Sequence, residues 1–191
     1  SIQGAALGTP TIPTSNGPAQ TSAFETTNAA LVANGNQTQT EVDFSTGGLY
    51  PLRMVRTYNH GYVDTGSAYV NMFDNGWACN LNLYLTFSSL SGGIYQKVVA
   101  SRGDGSSIEF SWNGTDYRSS SPDADSWIVK NSDGSYSMIF QSGAVETYSA
   151  STLQILTQKD PTGVGLTYNY DSSNHLQKVT HTSGRSITLG W

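Results

Sequence analysis

The strongest constraint on the fold of this chain is a pattern that occurs twice near its C-terminal end. From Gly163, three apolar residues follow at offsets of three, five and seven, and the same offsets recur from Gly184. The residues are, in order, Leu166, Tyr168 and Tyr170 in one copy, and Ile187, Leu189 and Trp191 in the other. A spacing of two puts each trio on one face of a β-strand. The sequence therefore predicts a repeated unit.

A second similarity lies partly upstream of this pattern. Leu-Gln-Ile-Leu-Thr at 153–157 is similar to Leu-Gln-Lys-Val-Thr at 176–180, twenty-three residues later. Together the two patterns indicate a period of a little over twenty residues, which is enough for two strands and two turns. A two-stranded unit buries only one face, so such units must join side by side into a continuous sheet.

The rest of the chain favours an all-β fold. Short segments rich in Val, Ile, Thr and aromatic residues alternate with turn dipeptides such as Asp104-Gly105 and Asp133-Gly134. We expect an extended, twisted antiparallel sheet of two-stranded repeats. A hairpin is expected at Asn34-Gly35, with a helix over 23–33 as the alternative; the β-branched residues that follow favour the hairpin.

Composition and pattern divide the chain into three parts. Residues 1–28 are rich in Gly, Pro, Ser and Thr and predict an extended N-terminal arm. An opening β domain is expected over 29–100, and β-hairpin repeats over 101–191. The last repeat is expected to be incomplete, because Trp191 occupies the position of Tyr170, which leaves an open strand edge where another strand can pair. The predicted assembly edge comprises Gly184, Ile187, Leu189 and Trp191.

Charge and composition weigh against several classes of function. Nine Lys and Arg stand against fourteen Asp and Glu, for a net charge of −5. Nucleic acid is not an expected partner, because phosphate binding needs clustered cations. No apolar run approaches the roughly 20 residues of a membrane helix. The low charged fraction, with abundant Ser, Thr, Asn, Gln and Gly, is typical of secreted or cell-surface β-proteins and favours a bacterial extracellular location.

Patterns typical of catalysis or metal binding are missing from the sequence. The three histidines, His60, His175 and His181, lack ligand spacing, and no Gly-x-Ser-x-Gly elbow occurs. Cys79, the single cysteine, lies in an apolar segment and is predicted to be an inert buried thiol. The acidic group comprises Asp104, Glu109, Asp116, Asp123 and Asp125. The alternatives to turn-forming roles are a glycosidase pair within this group and a calcium site at Asp-Ala-Asp, 123–125. We expect no catalytic residues, no cofactor and no metal.

Aromatic residues leave a second function open. Trp112, Tyr117 and Trp127 could stack on sugar rings. Aromatic residues at alternate strand positions more often form cross-strand pairs that fix the register. An extracellular carbohydrate-binding or adhesion module is therefore the alternative to a structural module.

The repeat resembles the YD-repeat family, which includes bacterial Rhs proteins and teneurins. The motif is a glycine, spaced aromatic residues, Tyr-Asp and a leucine after the turn; where the family usually has Gly-Arg before that leucine, this chain has Asn174-His175. The residues that carry the resemblance are Gly163, Leu166, Tyr168, Tyr170, Asp171 and Leu176.

The preceding segment resembles the domain that opens the repeat region of such proteins. Its matching stretches are 34–44, 56–59, 75–77 and 102–110, so that the resemblance covers roughly residues 28–191. The resemblance implies a sheet that spirals into a hollow shell, which in many bacterial members encloses a toxin. Asp-Pro-Thr-Gly-Val-Gly-Leu at 160–166 is similar to the self-cleavage element of the family, but an inserted valine interrupts it.

The predicted open strand edge indicates the kind of partner that the chain would bind. The open edge would pair with the remaining strands of a longer YD-repeat chain or with other copies of this chain, and head-to-tail pairing that does not close builds a filament. A shell segment that encapsulates a toxin in a longer Rhs protein is a further alternative.

Overall fold

The computed structural model describes residues 29–31, 36–59, 72–73, 76–119, 121 and 125–191. Within these ranges, every regular secondary-structure element is a β-strand, as the alternating patterns predict. In chain order they are β1 (Ala29–Leu31), β2 (Asn36–Ser45), β3 (Arg53–Asn59), β4 (Trp77–Cys79), β5 (Tyr84–Ser91), β6 (Ile94–Ser101), β7 (Ser107–Trp112), β8 (Tyr117–Arg118), β9 (Ser126–Lys130), β10 (Tyr136–Phe140), β11 (Val145–Tyr148), β12 (Ile155–Lys159), β13 (Gly165–Tyr170), β14 (Leu176–His181) and β15 (Ser186–Thr188).

The strands form two antiparallel sheets. β1–β4 make a four-stranded sheet and β5–β15 an eleven-stranded sheet, each in sequence order. The predicted extended antiparallel sheet is therefore confirmed. The division between the two sheets lies between Cys79 and Tyr84.

The hairpin predicted around Asn34-Gly35 is present. β1 pairs with β2, with Leu31 opposite Asn36. The helical alternative is therefore wrong at Ala29–Leu31. The turn itself, 32–35, and the arm predicted over 1–28 lie outside the described residues.

The large sheet curls until its first strand meets the start of β12. The Leu85 N–H donates to the carbonyl of Leu153 at 2.9 Å, and the Ile155 N–H donates to the carbonyl of Leu83 at 3.0 Å. Tyr84 thus lies opposite Gln154. β5–β11 make one turn of the curl, and β12–β15 continue beyond it, so the sheet does not close into a barrel.

One face of the curled sheet carries the core. Alternate residues of each strand point inward, which puts Val98, Phe110, Ile128 and Met138 in the interior without solvent exposure. Leu52, from the loop before β3, joins the same cluster and is 3% exposed. The core therefore ties the small sheet to the curl.

Six turns in the described part of the large sheet share one hydrogen-bond pattern. The N–H of the first residue donates to the carbonyl of the fifth, and the N–H of the fourth donates to the carbonyl of the first. The fourth residue has a positive φ, which favours glycine, as at Gly184 (φ 88°); Asn174 replaces glycine once (φ 65°). The turns are 102–106, 131–135, 140–144, 160–164, 171–175 and 181–185.

Candidate functional site

The repeat motif builds β13 and its two turns around the core. Leu166 and Tyr168 are buried and Tyr170 is half-buried, while the residues between them are exposed, so the predicted common face is confirmed. Gly163 has a φ of 85° in its turn, and Leu176 opens β14 with 4% exposure. The motif residues therefore position the strand rather than a reactive group.

Asp171 begins the turn between β13 and β14. Its Oδ1 accepts hydrogen bonds from the backbone N–H groups of Ser173 and His175, and its Oδ2 lies 3.2 Å from His175 Nδ1. These hydrogen bonds, the one from the His175 backbone first, hold the pKa of Asp171 below its usual value. The carboxylate thus fixes the turn, as aspartates commonly do.

Tyr170 and Trp191 occupy equivalent places in successive units. The Tyr170 hydroxyl donates to the carbonyl of Ile155 at 2.9 Å, and the Trp191 indole N–H donates to the carbonyl of Leu176 at 3.0 Å. In both cases the acceptor lies 15 residues before the donor. Trp191 follows Tyr170, and Leu176 follows Ile155, by the same 21 residues. The repeat is therefore a repeat of contacts as well as of sequence.

The 23-residue interval between the two similar segments does not relate equivalent positions in the structure. Leu176 lies opposite Tyr170 just as Ile155 lies opposite Tyr148, and each pairing follows a register shift. Leu153 instead lies in the preceding turn, with a φ of 61°. The 23-residue offset is therefore wrong, because Leu-Gln at 153–154 belongs to a turn whereas Leu-Gln at 176–177 opens a strand.

The backbone of β15 forms the outer edge of the large sheet within the described residues. Leu189 N–H donates to the carbonyl of Gln177, and Ile187 lies opposite Val179. Hydrogen-bonded and non-hydrogen-bonded residue pairs alternate along an antiparallel ladder. The N–H and C=O groups of Ser186 and Thr188 therefore point away from β14.

The side-chain pattern of the sequence does not indicate these two residues. It selects the apolar row of β15, whereas a strand is added through backbone groups. Counting bonded pairs from the last turn, where the His181 N–H donates to the carbonyl of Arg185, would have found Ser186 and Thr188.

The apolar side chains of the predicted edge lie at the end of the core. Ile187 and Leu189 are half-buried and pack against the core cluster. Trp191 is 56% exposed and stacks on His175, with ring centroids 4.7 Å apart and planes 22° apart. This row is therefore less covered than the equivalent row of β13.

A buried ion pair joins two distant parts of the curl. Nη1 and Nη2 of Arg102 donate to Oε2 and Oε1 of Glu146 at 2.7 and 2.8 Å. The Tyr148 hydroxyl and the Gln158 amide also donate to this carboxylate, at 2.6 and 2.8 Å. Tyr168 then donates to Gln158 Oε1 at 2.6 Å. The carboxylate is thus surrounded by donors from three strands or turns.

The charges of this cluster are stable near neutral pH. Burial opposes ionisation of Glu146 and Arg102, but their mutual hydrogen bonds and charges outweigh burial, so the pKa of Glu146 is lowered and the pKa of Arg102 is raised. Burial, and then the charge of Glu146, raises the pKa of Tyr148 and of Tyr168. None of these four groups changes protonation near pH 7, which suits a cross-link better than proton transfer.

A cavity of about 650 Å³ lies between the small sheet and the curl. Three of its polar lining residues are already engaged within the fold. Arg102 binds Glu146, Asp104 accepts hydrogen bonds from Ser106, and Asn80 Oδ1 accepts one from the Val55 N–H. These polar groups of the cavity therefore already have hydrogen-bond partners within the protein.

The predicted acidic group is not assembled into one site. Asp104, Glu109 and Asp116 each bind a different partner, which are, in order, Ser106, Lys97 and Arg118. Asp123 lies outside the described residues, and Asp125 precedes β9. Within the described ranges, no group of three or more His, Cys, Asp or Glu side chains could hold a metal ion.

The three rings considered for glycan stacking lie on two faces of the sheet. Trp112 lies opposite Tyr117, with ring centroids 5.1 Å apart, and Trp127 lies opposite Arg118, whose guanidinium is 4.6 Å from the ring. Successive strand residues point to opposite faces, so Trp127 and Tyr117 face opposite ways. Tyr117 is 5% exposed and offers no free ring face to a sugar. The three residues do not form one stacking platform.

Cys79 is the buried thiol that the sequence predicts. It is 2% exposed within the core cluster, and burial raises the pKa of its thiol to about 11. A thiol with such a pKa stays protonated at neutral pH, and a protonated thiol is a poor nucleophile.

The fold and the edge define an all-β module with repeated hairpins. Residues 31–110 match the family described as Domain of unknown function (DUF6531). The matched segment runs from the end of β1 to β7, so it includes most of the small sheet and the first turn of the shared five-residue type. No curated protein matches the chain. In the ranges that the structure describes, no helix is long and apolar enough to cross a membrane.

Proposed function

We propose that this chain is a non-enzymatic structural module that extends its sheet by accepting an antiparallel strand along the outer edge of β15. The repeated hydrogen bond made by Tyr170 and Trp191 carries the proposal, because it makes β15 the counterpart of β13 one unit later. β13 has a neighbour on each side, whereas β15 has one within the described residues. A strand placed as β14 is beside β13 would complete the unit.

The preceding unit defines the strand that this edge accepts. Leu176 and Val179 of β14 are buried, whereas Gln177 and Lys178 between them are exposed. By the same correspondence, the partner needs apolar residues at its first and fourth positions and polar residues between them. Backbone pairing would supply the affinity, and the apolar positions would supply the selectivity.

Two kinds of partner satisfy this description. One is the remaining strands of a longer YD-repeat chain, in which the module would open a shell around a toxin or other cargo. The other is a second copy of this chain, and copies added head to tail without closure would form a filament. The order of the YD-like motifs and the low charged fraction support a YD-repeat protein that is exported or displayed at the cell surface.

Amide hydrogen exchange on the full chain tests the proposal. The probe is a capped peptide of residues 170–181 carrying H175Q and H181Q, called here the strand peptide, and its matched control also carries L176Q and V179Q. The strand peptide should slow exchange of the Ser186 and Thr188 amides, and the control peptide should not. Unchanged exchange at both amides with saturating strand peptide would contradict the proposal.

A further inference from the structure

We infer that His175 makes strand addition at the β15 edge dependent on pH, with the protonated imidazole favouring the added strand. The inference rests on the proposed function, because it concerns regulation of that same edge. It follows from the repeat, from the hydrogen bonds of the 171–175 turn and from the number of hydrogens that an imidazole carries.

Successive turns at this end of the sheet are linked by one side chain. Gln154 Nε2 donates to the carbonyl of Asn174 at 3.0 Å, and Gln154 is 5% exposed. His175 follows Gln154 by 21 residues, the same interval that relates Leu176 to Ile155. His175 therefore occupies the position from which a side-chain donor reaches the carbonyl of the next turn.

The neutral imidazole cannot make that hydrogen bond in this geometry. Nδ1 of His175 lies 3.2 Å from Oδ2 of Asp171, and an ionised carboxylate only accepts, so Nδ1 carries the hydrogen. A neutral ring has one N–H, which leaves Nε2 as an acceptor facing the carbonyl of an added turn. The protonated ring carries hydrogens on both nitrogens and can donate to both acceptors.

Two side chains face the imidazole of His175 in the structure. Asp171 faces the imidazole from the same turn. The pKa of Asp171 is lowered from the usual carboxylate value of about 4, so its side chain stays ionised between pH 5.5 and 7.5. Trp191 faces the imidazole as an uncharged stacked ring. The neighbouring turn, 149–154, contains no titratable side chain. Histidine is the side chain that ordinarily gains its proton in this pH range.

The affinity of the full chain for the labelled strand peptide, measured by fluorescence anisotropy at pH 5.5 and 7.5, tests the inference. The peptide contains no histidine, so its own charge is constant. We expect binding to be about tenfold tighter at pH 5.5, since a hydrogen bond from a charged donor replaces an acceptor facing a carbonyl. H175Q supplies an uncharged donor at every pH, as Gln154 does, and should bind equally at both.

Three outcomes decide the matter. Equal affinity of the unchanged chain at the two pH values overturns the role of His175 and leaves the proposed function intact. A pH effect that persists in H175Q also overturns it. Absence of peptide binding at either pH, in both proteins, overturns the proposed function and this inference with it. Equal affinity of the unchanged chain at the two pH values decides against the inference even if the variant fails to fold.

Discussion

The indole N–H of Trp191 donates to the carbonyl of Leu176 at 3.0 Å, as the hydroxyl of Tyr170 does to the carbonyl of Ile155 one unit earlier. Each accepting residue lies at a register shift, where the regular pairing of the two strands is interrupted. In each copy, an aromatic side chain that carries a polar hydrogen donates to the carbonyl of the accepting residue. The bulge and the aromatic residue therefore form one device that is used twice.

Removal of the Tyr170 hydroxyl should destabilise the folded protein. Tyr170→Phe keeps the ring but leaves the Ile155 carbonyl without its donor, so we expect the free energy of unfolding to fall by about 1–2 kcal/mol. Urea denaturation measures this loss. Tyr95→Phe is the matched control, because Tyr95 is 42% exposed and its loss of a hydroxyl should cost less than about 0.5 kcal/mol. Equal costs would contradict the role assigned to Tyr170.

Breaking the buried ion pair should destabilise the curl strongly. Glu146→Leu leaves the charge of Arg102 without its partner, and we expect a loss of about 3–5 kcal/mol in unfolding free energy. The double variant R102M/E146L removes both charges, so it should be more stable than E146L alone. Urea denaturation of the unchanged chain, E146L, R102M and R102M/E146L forms the comparison. A double variant as unstable as the sum of the two single variants would rule out direct coupling.

The same ion pair should contribute to acid sensitivity. The pKa of Glu146 is lowered in the folded protein, so its contribution to stability is present above the unfolded value, about 4.3, and is lost as the pH falls through the folded value. We expect Tm to decrease below about pH 4. R102M/E146L should show a shallower decrease between pH 5 and pH 2. Identical pH profiles would show that other carboxylates, such as Asp116, dominate.

Strand addition should depend on one outward N–H group. Thr188→Pro removes the N–H that points away from β14 and spares the bonded pairs on the inner side, so the strand peptide should no longer protect the edge from exchange. Thr188→Ser keeps the N–H and should bind the peptide as the unchanged chain does. Light scattering at several protein concentrations measures the self-association of the same variants. Protection that survives in T188P would mean that the peptide binds elsewhere.

Local patterns in the sequence determined the strands, the turns and the common face of Leu166, Tyr168 and Tyr170. They could do so because side-chain alternation and turn preferences act between residues a few positions apart. The repeat was visible for the same reason, and so was the buried environment of Cys79. The wrong 23-residue offset shows the limit of such patterns. The same Leu-Gln dipeptide lies in a turn at 153–154 and in a strand at 176–177.

The tertiary structure alone decided how far the sheet curls and what holds it. The curl depends on twist accumulated over many strands, and its closing contacts join Tyr84 to Gln154 and Arg102 to Glu146, which are far apart in the chain. The outward direction of the Ser186 and Thr188 backbone likewise depends on the register with β14. No short pattern encodes these relationships, because each is set by the pairing of segments that meet only after the sheet has formed.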